Sequence, residues 1–443
     1  MARSYFIHTF GCQMNESDSQ RMGEALARAG WEPALVADRA DLVLVNTCSI
    51  REKAEDKLYS ALGRYRLLKT QRGTKIGVAG CVAQQEKERL LRRAPYVDFV
   101  LGPDHLDKVP ELAVTGGIET EFLDTEQYLF PQADPESSRG KATAFVTAMK
   151  GCDNVCSFCV VPYTRGREVS RPYAEIVREV AALVAVGVRE VTLIGQNVNS
   201  YSGGCGFADL IRRVGAVPGL LRIRFTTSHP MDLSADLVRC FGEVPQLMPH
   251  FHLPVQHGAD TVLQRMRRKY TIAEYEERIA ALPREVALTS DVICGFPGET
   301  EAEHEQNLEF LRRTPYDNLF SFVYSPRPHT GAILKLLEWG EVPRPTAIRR
   351  LEEVQALQMA RTLERHRSRI GGSVEVLVED AGFGRSRENW TVHFEGDAQP
   401  GDLVSVRVES ASLVALRGAQ AAVTDRAPGV DRPRKRRLAV VSA

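Results

Sequence analysis

Residues 149–171 read M-K-G-C-D-N-V-C-S-F-C-V-V-P-Y-T-R-G-R-E-V-S-R and bring three cysteines into one short stretch. Cys152, Cys156 and Cys159 have the spacing C-x3-C-x2-C. Three thiolates so close together can hold three irons of a [4Fe–4S] cluster and leave the fourth iron without a protein ligand. That open iron can bind a small chelating molecule and pass an electron to it. A structural zinc loop or a group of buried thiols is the alternative. Zinc, however, usually takes four ligands, commonly as two pairs, and no second pair follows here.

This loop resembles that of the radical S-adenosylmethionine (SAM) enzymes, in which the amino and carboxylate groups of SAM chelate the free iron. The segment 151–168, G-C-D-N-V-C-S-F-C-V-V-P-Y-T-R-G-R-E, is more specifically similar to the methylthiotransferases of that superfamily. The resemblance implies that Cys152, Cys156 and Cys159 hold the catalytic cluster, and that SAM is a cofactor.

The chain has 443 residues, which suggests about three domains. Lys plus Arg and Asp plus Glu both number 57, so a nucleic-acid partner must be held by local basic patches. No apolar run reaches the roughly 20 residues that span a membrane, and the N-terminus lacks a signal-peptide layout. We therefore expect a cytoplasmic protein without a membrane partner. Nine cysteines in a reducing compartment favour metal binding or catalysis over disulfides.

Residues 1–125 alternate apolar strands with amphipathic helices. Such alternation implies a doubly wound parallel sheet with helices packed on both faces. Strands are expected at 5–10, 41–47, 75–79 and 97–101, and helices at 17–29, 52–68 and 84–93.

Three further cysteines each lie just past one of these strands: Cys12, Cys48 and Cys81. The carboxyl ends of parallel strands share one rim, where ligands bind in open α/β sheets. Three converging thiolates suggest a second cluster, although a lone buried cysteine is often a small hydrophobic residue. The segments T-F-G-C-Q-M-N-E-S-D-S, N-T-C-S-I-R-E-K-A-E and G-C-V-A-Q match signatures of the methylthiotransferase N-terminal domain. The resemblance implies that these three cysteines ligate an auxiliary [4Fe–4S] cluster.

Residues 126–142 form an expected linker, and a second strand–helix series occupies 143–369. Six β/α units predict a (β/α)6 partial barrel, whose active site lies at the carboxyl ends of the strands. Strands are expected at 143–148, 190–194, 221–226, 250–253, 287–293 and 318–324, and helices at 173–186, 271–282 and 301–312.

Polar or glycine-containing segments follow every one of these strands, and together they would line a cavity for a small cofactor. Ordinary turn chemistry explains any single segment equally well. With the cluster loop, however, the whole unit resembles the radical SAM core. The candidate SAM contacts are Gly195, Gln196, Asn197, Ser228, His229, Gln256, Gly295, Pro297, Gly298 and Glu299. The chain departs from the family at His257, where V-Q-H-G stands in place of the usual V-Q-S-G.

After a charged helix at 344–369, the pattern changes to period two, with strands expected at 373–378, 390–394, 403–408 and 413–416. Short alternating strands predict a small antiparallel β-barrel over 370–422. The segments V-L-V-E-D, G-R-S-R-E-N-W-T-V-H-F and L-R-G resemble the TRAM domain, an RNA-binding barrel, although a solvated hairpin is the alternative. The candidate RNA contacts, which could hold phosphates and stack on a base, are Arg385, Arg387, Asn389 and Trp390. The family more often has a basic residue at Trp390. The tail 423–443, with R-P-R-K-R-R at 432–437, is expected to be disordered and to add non-specific RNA affinity.

Taken together, the resemblance implies methylthiolation of carbon 2 of N6-isopentenyladenosine at position 37 of tRNA, giving 2-methylthio-N6-isopentenyladenosine. This C–H bond has no acidic proton, so radical chemistry supplied by cofactors is required. One cluster would cleave SAM to a 5′-deoxyadenosyl radical, and the auxiliary cluster would supply methylated sulfur. The two cysteine-bearing rims must therefore face each other, with the adenine flipped out between them.

The implied partners are tRNA, an electron donor such as flavodoxin or ferredoxin, and a sulfur or cluster-assembly donor. Two alternatives within the family act on N6-threonylcarbamoyladenosine tRNA or on an aspartate of a ribosomal protein. A third alternative, from another class, is a non-catalytic iron–sulfur RNA-binding protein such as a redox sensor. It would need clusters but no SAM cavity.

Overall fold

The computed structural model describes residues 3–49, 53–126, 128–131, 133–429 and 440–442. In its first unit, strands and helices alternate. The strands are β1 (Ser4–Thr9), β2 (Glu32–Pro33), β3 (Leu42–Thr47), β4 (Lys75–Gly80), β5 (Phe99–Leu101) and β6 (Gly117–Glu119). The helices are α1 (Gln13–Arg28), α2 (Lys53–Arg72), α3 (Cys81–Glu86), α4 (Glu88–Arg93) and α5 (Val109–Thr115).

All pairs in this sheet are parallel, in the order β2-β1-β3-β4-β5-β6. The chain steps from β1 to one side and then to the other, so the helices cover both faces. Side chains alternate accordingly: Val43 and Val45 pack towards α2, whereas Leu42 and Leu44 pack towards α1. The predicted doubly wound sheet is confirmed.

One expected helix of this unit is divided in the structure, and the start of another cannot be compared. The helix expected over 84–93 is two short helices, because Lys87 takes the left-handed conformation with φ 47° and interrupts the helical hydrogen bonds. The expected start of the preceding helix, Glu52, lies outside the described residues.

The second unit is built from a series of parallel β/α repeats. Its strands are β7 (Thr143–Thr147), β8 (Met149–Lys150), β9 (Val169–Ser170), β10 (Glu190–Ile194), β11 (Arg222–Phe225), β12 (His250–His252), β13 (Ala287–Cys294) and β14 (Asn318–Val323). Its helices are α6 (Val161–Arg165), α7 (Tyr173–Ala185), α8 (Phe207–Gly215), α9 (Ala235–Glu243), α10 (Asp260–Arg265), α11 (Ile272–Ala280), α12 (Glu301–Arg313), α13 (Gly331–Leu334) and α14 (Leu336–Trp339).

Six of these strands form an open barrel. Strands β7, β10 and β11 pair in parallel, as do β12, β13 and β14, and a parallel bridge joins Ile223 to Leu247 between the two sheets. Within the described residues no pairing joins β7 to β14, so the barrel stays open along that side. The predicted (β/α)6 partial barrel is confirmed. Capping boxes at Thr271 and Thr300 begin α11 and α12.

The third unit follows a long helix. That helix is α15 (Arg344–Arg367), and the strands of the third unit are β15 (Ser373–Asp380), β16 (Phe383–Ser386), β17 (Thr391–Glu395), β18 (Leu403–Ala411) and β19 (Leu416–Asp425). The strands close into a barrel, β15-β16-β17-β19-β18, around a core that includes Val376, Val404 and Val406.

The barrel itself was predicted, but not all of its strands. Strand β16 was missed, because its F-G-R-S sequence carries no apolar alternation. The strand expected at 413–416 begins only at Leu416 and continues to Asp425. The barrel is also not wholly antiparallel, since β17 and β19 run parallel. Five strands cannot alternate direction around a closed ring, so one neighbouring pair must be parallel.

The expectation of a disordered tail is wrong at both ends of the segment. Strand β19 reaches Asp425, and β20 (Val440–Ser442) pairs in parallel with Ile7–Thr9 of β1. Strand β2 pairs with Ser4 and Tyr5 at the start of β1. The backbone groups of the later part of β1 are therefore available to pair with β20. The basic run at 432–437 lies outside the described residues. In the described parts of the chain no helix is both long and apolar enough to cross a membrane.

Candidate functional site

The three cysteines of the first unit meet at one rim of the sheet. Cys12 follows β1, Cys48 follows β3, and Cys81 is the first residue of α3 after β4. The rim between β1 and β3 is the point where the chain reverses its winding, which is where open α/β sheets bind ligands. Gly11 allows this approach: its φ is 144°, and a Cβ atom there would lie 2.6 Å from the Cβ of Cys48.

The thiols of this set interact with each other. A hydrogen bond with Cys48 is the main cause that lowers the pKa of Cys12 to about 6, and the nearby Arg165 guanidinium acts in the same direction. Burial raises the pKa of the Cys81 thiol. Below them, Asn15 accepts from the Cys12 sulfur at 3.3 Å and donates to the Thr47 carbonyl at 3.0 Å. Asn15 thus joins the two strand ends next to the sulfurs by hydrogen bonds.

The second cysteine set lies in the loop between β8 and α6. The loop begins at Gly151, whose φ is 75° and whose added Cβ would lie 1.9 Å from the carbonyl oxygen of Arg167. Its backbone N–H donates to Oε1 of Gln196 at 2.5 Å. Only glycine fits this position, so the loop takes a defined path.

Each sulfur of this second set accepts one hydrogen bond. Asn154 donates to Cys152 at 3.5 Å, Arg268 to Cys156 at 3.5 Å, and the backbone N–H of Val161 to Cys159 at 3.4 Å. Such donors favour the thiolate form that binds iron. Burial is the main cause that raises the pKa of Cys159 to about 12, and the charge of Cys156 acts in the same direction.

The two cysteine sets lie on opposed rims, as predicted. Arg165, six residues after Cys159, donates from Nε to the Cys81 sulfur at 3.3 Å and from Nη2 to Asp18 at 2.6 Å. A second buried ion pair, Lys150 with Asp104 at 2.5 Å, also joins the two units. The domain interface therefore lies directly between the cysteine sets.

The expected linker is packed into this interface. The ring of Tyr128 lies 3.6 Å from Nζ of Lys150, and Ser137 donates to Glu24 of α1 at 2.7 Å. The connection thus contributes contacts that help hold the two units in one arrangement.

The candidate SAM residues after β10, β11 and β12 include polar atoms without a protein partner. Oδ1 of Asn197 and Oγ of Ser228 are buried and unpaired. Thr227 and Gln256 have φ of 69° and 74°, which strains non-glycine residues. Buried orphan atoms and backbone strain concentrate at ligand sites, so this rim fits a polar cofactor.

Other candidate residues have structural partners. Both Gly295 and Phe296 donate backbone N–H groups to the buried Glu299 carboxylate, at 2.5 and 3.0 Å, so Glu299 shapes its own loop. His229 accepts from the N–H of Met231, and burial lowers its pKa to about 3. Gly195, Pro297 and Gly298 contribute packing; an added Cβ at Gly195 would lie 2.5 Å from Met149.

The donor set fits clusters better than a single ion. Among the described residues no group of three or more His, Cys, Asp or Glu side chains is arranged to hold one metal ion. In a [4Fe–4S] cluster each thiolate binds a different iron, so the three sulfurs need not converge on one point. One set of three free thiols in each unit meets this requirement.

Both α/β units match known protein families. Residues 4–102 match the family model described as "Uncharacterized protein family UPF0004", and residues 146–311 match the Radical SAM superfamily. A protein of Myxococcus xanthus (strain DK1622) named "tRNA-2-methylthio-N(6)-dimethylallyladenosine synthase" is 55% identical over 437 residues, covering 95% of each chain. This chain belongs to the tRNA-2-methylthio-N(6)-dimethylallyladenosine synthase family.

Other members of the synthase family are similarly close. A protein of that name from Anaeromyxobacter sp. (strain K) is 57% identical over 94% of both chains, and one from Geobacter metallireducens is 49% identical over 91% of this chain and 95% of its own. The chain is therefore a radical SAM transferase, and its cofactors are SAM and iron–sulfur clusters.

Solved structures confirm the fold at low sequence identity. The radical SAM methyltransferase TsrM from Kitasatospora setae is 14% identical, with a TM-score of 0.57 over 76% of this chain and 78% of its own. The cobalamin-dependent enzyme OxsB is 11% identical, with a TM-score of 0.52 over 76% of this chain and 55% of its own.

In this member of the synthase family, most groups of the loop that was predicted to contact RNA are engaged in contacts within the protein. Its backbone carbonyls accept hydrogen bonds from the core: Arg385 from Arg222 at 2.9 Å, and Arg387 from Arg224 at 2.9 Å. Trp390 packs 5.7 Å from the ring of His366 and under the guanidinium of Arg369. Asn389 serves the turn, with φ 71°. Arg387 is exposed, whereas the other three candidates are part-buried. The Arg385 side chain is 38% exposed and pairs with Glu379 at 3.3 Å.

Sequence reasoning assigned no role to Arg165, Arg268 or Asp18. All three are buried, and the two arginines donate to cysteine sulfurs. Arg165 lies within the quoted cluster-loop motif, which was the available signal. Its target was not foreseeable, because Cys81 is 84 residues away in the chain.

Proposed function

We propose that this chain transfers a methylthio group to carbon 2 of N6-isopentenyladenosine 37 in tRNA, giving 2-methylthio-N6-isopentenyladenosine. One observation carries the proposal: two sets of three cysteines on opposed domain rims, with Arg165 joining the second loop to Cys81 at 3.3 Å. A reaction that draws a radical from one site and sulfur from another needs this opposition. The names of the close relatives support the same substrate.

In this proposal, Cys152, Cys156 and Cys159 hold the catalytic [4Fe–4S] cluster, and Cys12, Cys48 and Cys81 hold the auxiliary one. When bound, the clusters and SAM supply the one-electron chemistry and the sulfur for transfer. The chain's own residues position these groups. Gln196 holds the start of the cluster loop, while Asn154 and Arg268 hydrogen-bond to its sulfurs.

The polar rim of the partial barrel would take the cofactor. Oδ1 of Asn197 and Oγ of Ser228 are buried atoms able to accept a hydrogen bond from SAM, and Ser228 can also donate one. The shielded interface between the units would exclude water from the reacting base. We further propose that the tRNA contacts the β-barrel through exposed basic residues such as Arg387.

The proposal also includes an external electron donor, such as flavodoxin or ferredoxin, and a sulfur or cluster-assembly donor. The proposed reaction consumes electrons and a sulfur atom in each turnover, and the protein's side chains do not replenish either. Because the substrate is tRNA, we place the reaction in the cytoplasm.

The test uses anaerobically reconstituted protein with SAM, a reductant and isopentenylated tRNA, followed by mass spectrometry of the digested tRNA. We expect the methylthio adduct with wild type and with the control variant Cys205→Ser, whose cysteine lies outside both sets. Cys156→Ala should abolish SAM cleavage and adduct formation. Cys48→Ala should abolish the adduct while SAM cleavage persists.

Two results would contradict the proposal. SAM cleavage with unmodified isopentenylated tRNA would overturn the substrate assignment, and threonylcarbamoyladenosine tRNA and ribosomal protein would then be tested with the same assay. No SAM cleavage despite a full iron complement would favour the non-catalytic RNA-binding protein.

A further inference from the structure

Arg165 lies at the contact between the loop of the second cysteine set and Cys81 of the first. It is the last residue of α6, the helix that follows the second cysteine set, and its side chain is only 5% exposed. Nε donates to the Cys81 sulfur at 3.3 Å, and Nη2 donates to Asp18 at 2.6 Å. One guanidinium therefore contacts a cysteine of the opposite rim and a carboxylate of α1 at the same time.

This double contact depends on the shape of the guanidinium. Its N–H groups form a rigid planar fork, so the bond to Asp18 fixes the direction in which Nε points. A lysine ammonium is a point charge and cannot hold both acceptors in one plane. The orientation of the N–H towards sulfur is thus set by Asp18, and the position of α6 is set by the cysteine loop.

A hydrogen bond and a positive charge at a ligand sulfur have a defined electronic effect. Both withdraw negative charge from the sulfur, so they stabilise the reduced form of a bound iron–sulfur cluster and raise its reduction potential. The effect is strong in a buried site, where water does not screen the charge. Cys81 is 5% exposed, so this condition holds.

We propose that Arg165 is a positioning residue for methylthio transfer, orienting Cys81 and raising the reduction potential of the auxiliary cluster. The inference rests on the proposed assignment of Cys12, Cys48 and Cys81 as that cluster's ligands. It makes Arg165 the element that couples the sulfur-donating site to the SAM-cleaving site.

The first test isolates the auxiliary cluster. In a chain carrying Cys152→Ala, Cys156→Ala and Cys159→Ala, the midpoint potential is measured by a redox titration followed by electron paramagnetic resonance, with iron and sulfide counted per chain. Arg165→Gln should lower the midpoint potential while the cluster is retained, and Arg165→Lys should give an intermediate value. Arg178→Gln, on the exposed face of α7, is the matched control and should leave the potential unchanged.

Removing Arg165 alone leaves the buried Asp18 carboxylate unpaired and can impair folding. The double variant Arg165→Gln/Asp18→Asn removes that charge as well, and should show the same lowered potential. A full cluster with an unchanged midpoint potential in either variant would overturn the proposal.

The second test uses the enzyme with all six cysteines and compares two products. With Arg165→Gln we expect 5′-deoxyadenosine formation to continue near the wild-type rate, while the methylthio adduct falls by about tenfold or more. Equal loss of both products would show a purely structural role and overturn the inference. If wild type itself forms no adduct, the proposed function fails, and the midpoint potential alone decides the role of Arg165.

Discussion

Arg224 of β11 donates from Nη2 to the carbonyl oxygen of Ser386 at 2.7 Å and thereby fastens the β-barrel to the radical SAM core. The same guanidinium donates to the Arg387 carbonyl at 2.9 Å and to the buried Glu190 carboxylate at 3.0 Å. Arg222, two residues earlier, likewise donates to the Arg385 carbonyl oxygen and to the Glu375 carboxylate. The loop between β16 and β17 is therefore anchored through its backbone at the amino ends of the core strands.

Replacing Arg224 should destabilise this junction. In Arg224→Met the Glu190 carboxylate loses its closest partner while it stays buried, and such a loss costs about 3–5 kcal/mol. We expect a lower midpoint of chemical unfolding, measured by circular dichroism. Adding Glu190→Gln should recover part of the loss, because it removes the unpaired charge. Strictly additive effects of the two changes would contradict the pairing.

Substitutions at Arg387 and Trp390 should have different effects, the first on tRNA affinity and the second on stability. Arg387→Gln removes an exposed positive charge, so tRNA binding should weaken and its salt dependence should decrease by about one unit of slope. Fluorescence anisotropy titrations at several salt concentrations measure both. Trp390→Ala should instead lower the free energy of unfolding by about 1–3 kcal/mol, because it removes packing against His366 and Arg369. Weaker tRNA binding at unchanged stability would support base stacking by Trp390.

Gly151→Ala should disable the second cysteine loop. The added methyl group would lie 1.9 Å from the Arg167 carbonyl oxygen, so the loop must move and its hydrogen bond to Gln196 must break. We expect SAM cleavage to fall by about 100-fold, since displacements of about 1 Å have such effects on catalysis. Gly206→Ala is the control, because an added Cβ there meets no atom within 4 Å. Normal cleavage by Gly151→Ala would show that the loop tolerates the shift.

His8 should make stability depend on pH. Burial is the main cause that lowers its pKa to about 4, and Arg64 and Lys57 act in the same direction, while its Nδ1 pairs with the Tyr65 hydroxyl at 2.7 Å. Between about pH 6.5 and pH 4 the unfolded chain binds a proton at this residue that the folded chain does not. The free energy of unfolding should therefore decrease as the pH falls through this window.

The matching measurement is anaerobic urea unfolding at pH 7 and pH 5. His8→Gln keeps a hydrogen-bonding group but does not titrate, so it should lose less stability than wild type over this range. An equal loss in both proteins would mean that other groups account for the acid sensitivity.

Much of the candidate site follows from local sequence. Cys152, Cys156 and Cys159 lie within eight residues, so one loop must bring them together whatever surrounds it. Cys12 and Cys48 each follow a strand of the same parallel sheet, and strand direction alone puts them on one rim. Alternation of strands and helices likewise predicts both α/β units, because hydrophobic period and connection length are local properties.

The contacts that join the units depend on the tertiary structure. Neither the bond from Arg165 to Cys81 nor the bond from Arg224 to Ser386 has a periodic or spacing signal, because each depends on how two separately formed units pack. Long arginine side chains also look alike in sequence whether they face solvent, RNA or a buried sulfur. Cysteine spacing and strand order are local, so they predict the residues of each rim and the cofactors that suit them. What lies opposite each rim depends on surfaces assembled from residues far apart in the chain, so it is seen only in the folded protein.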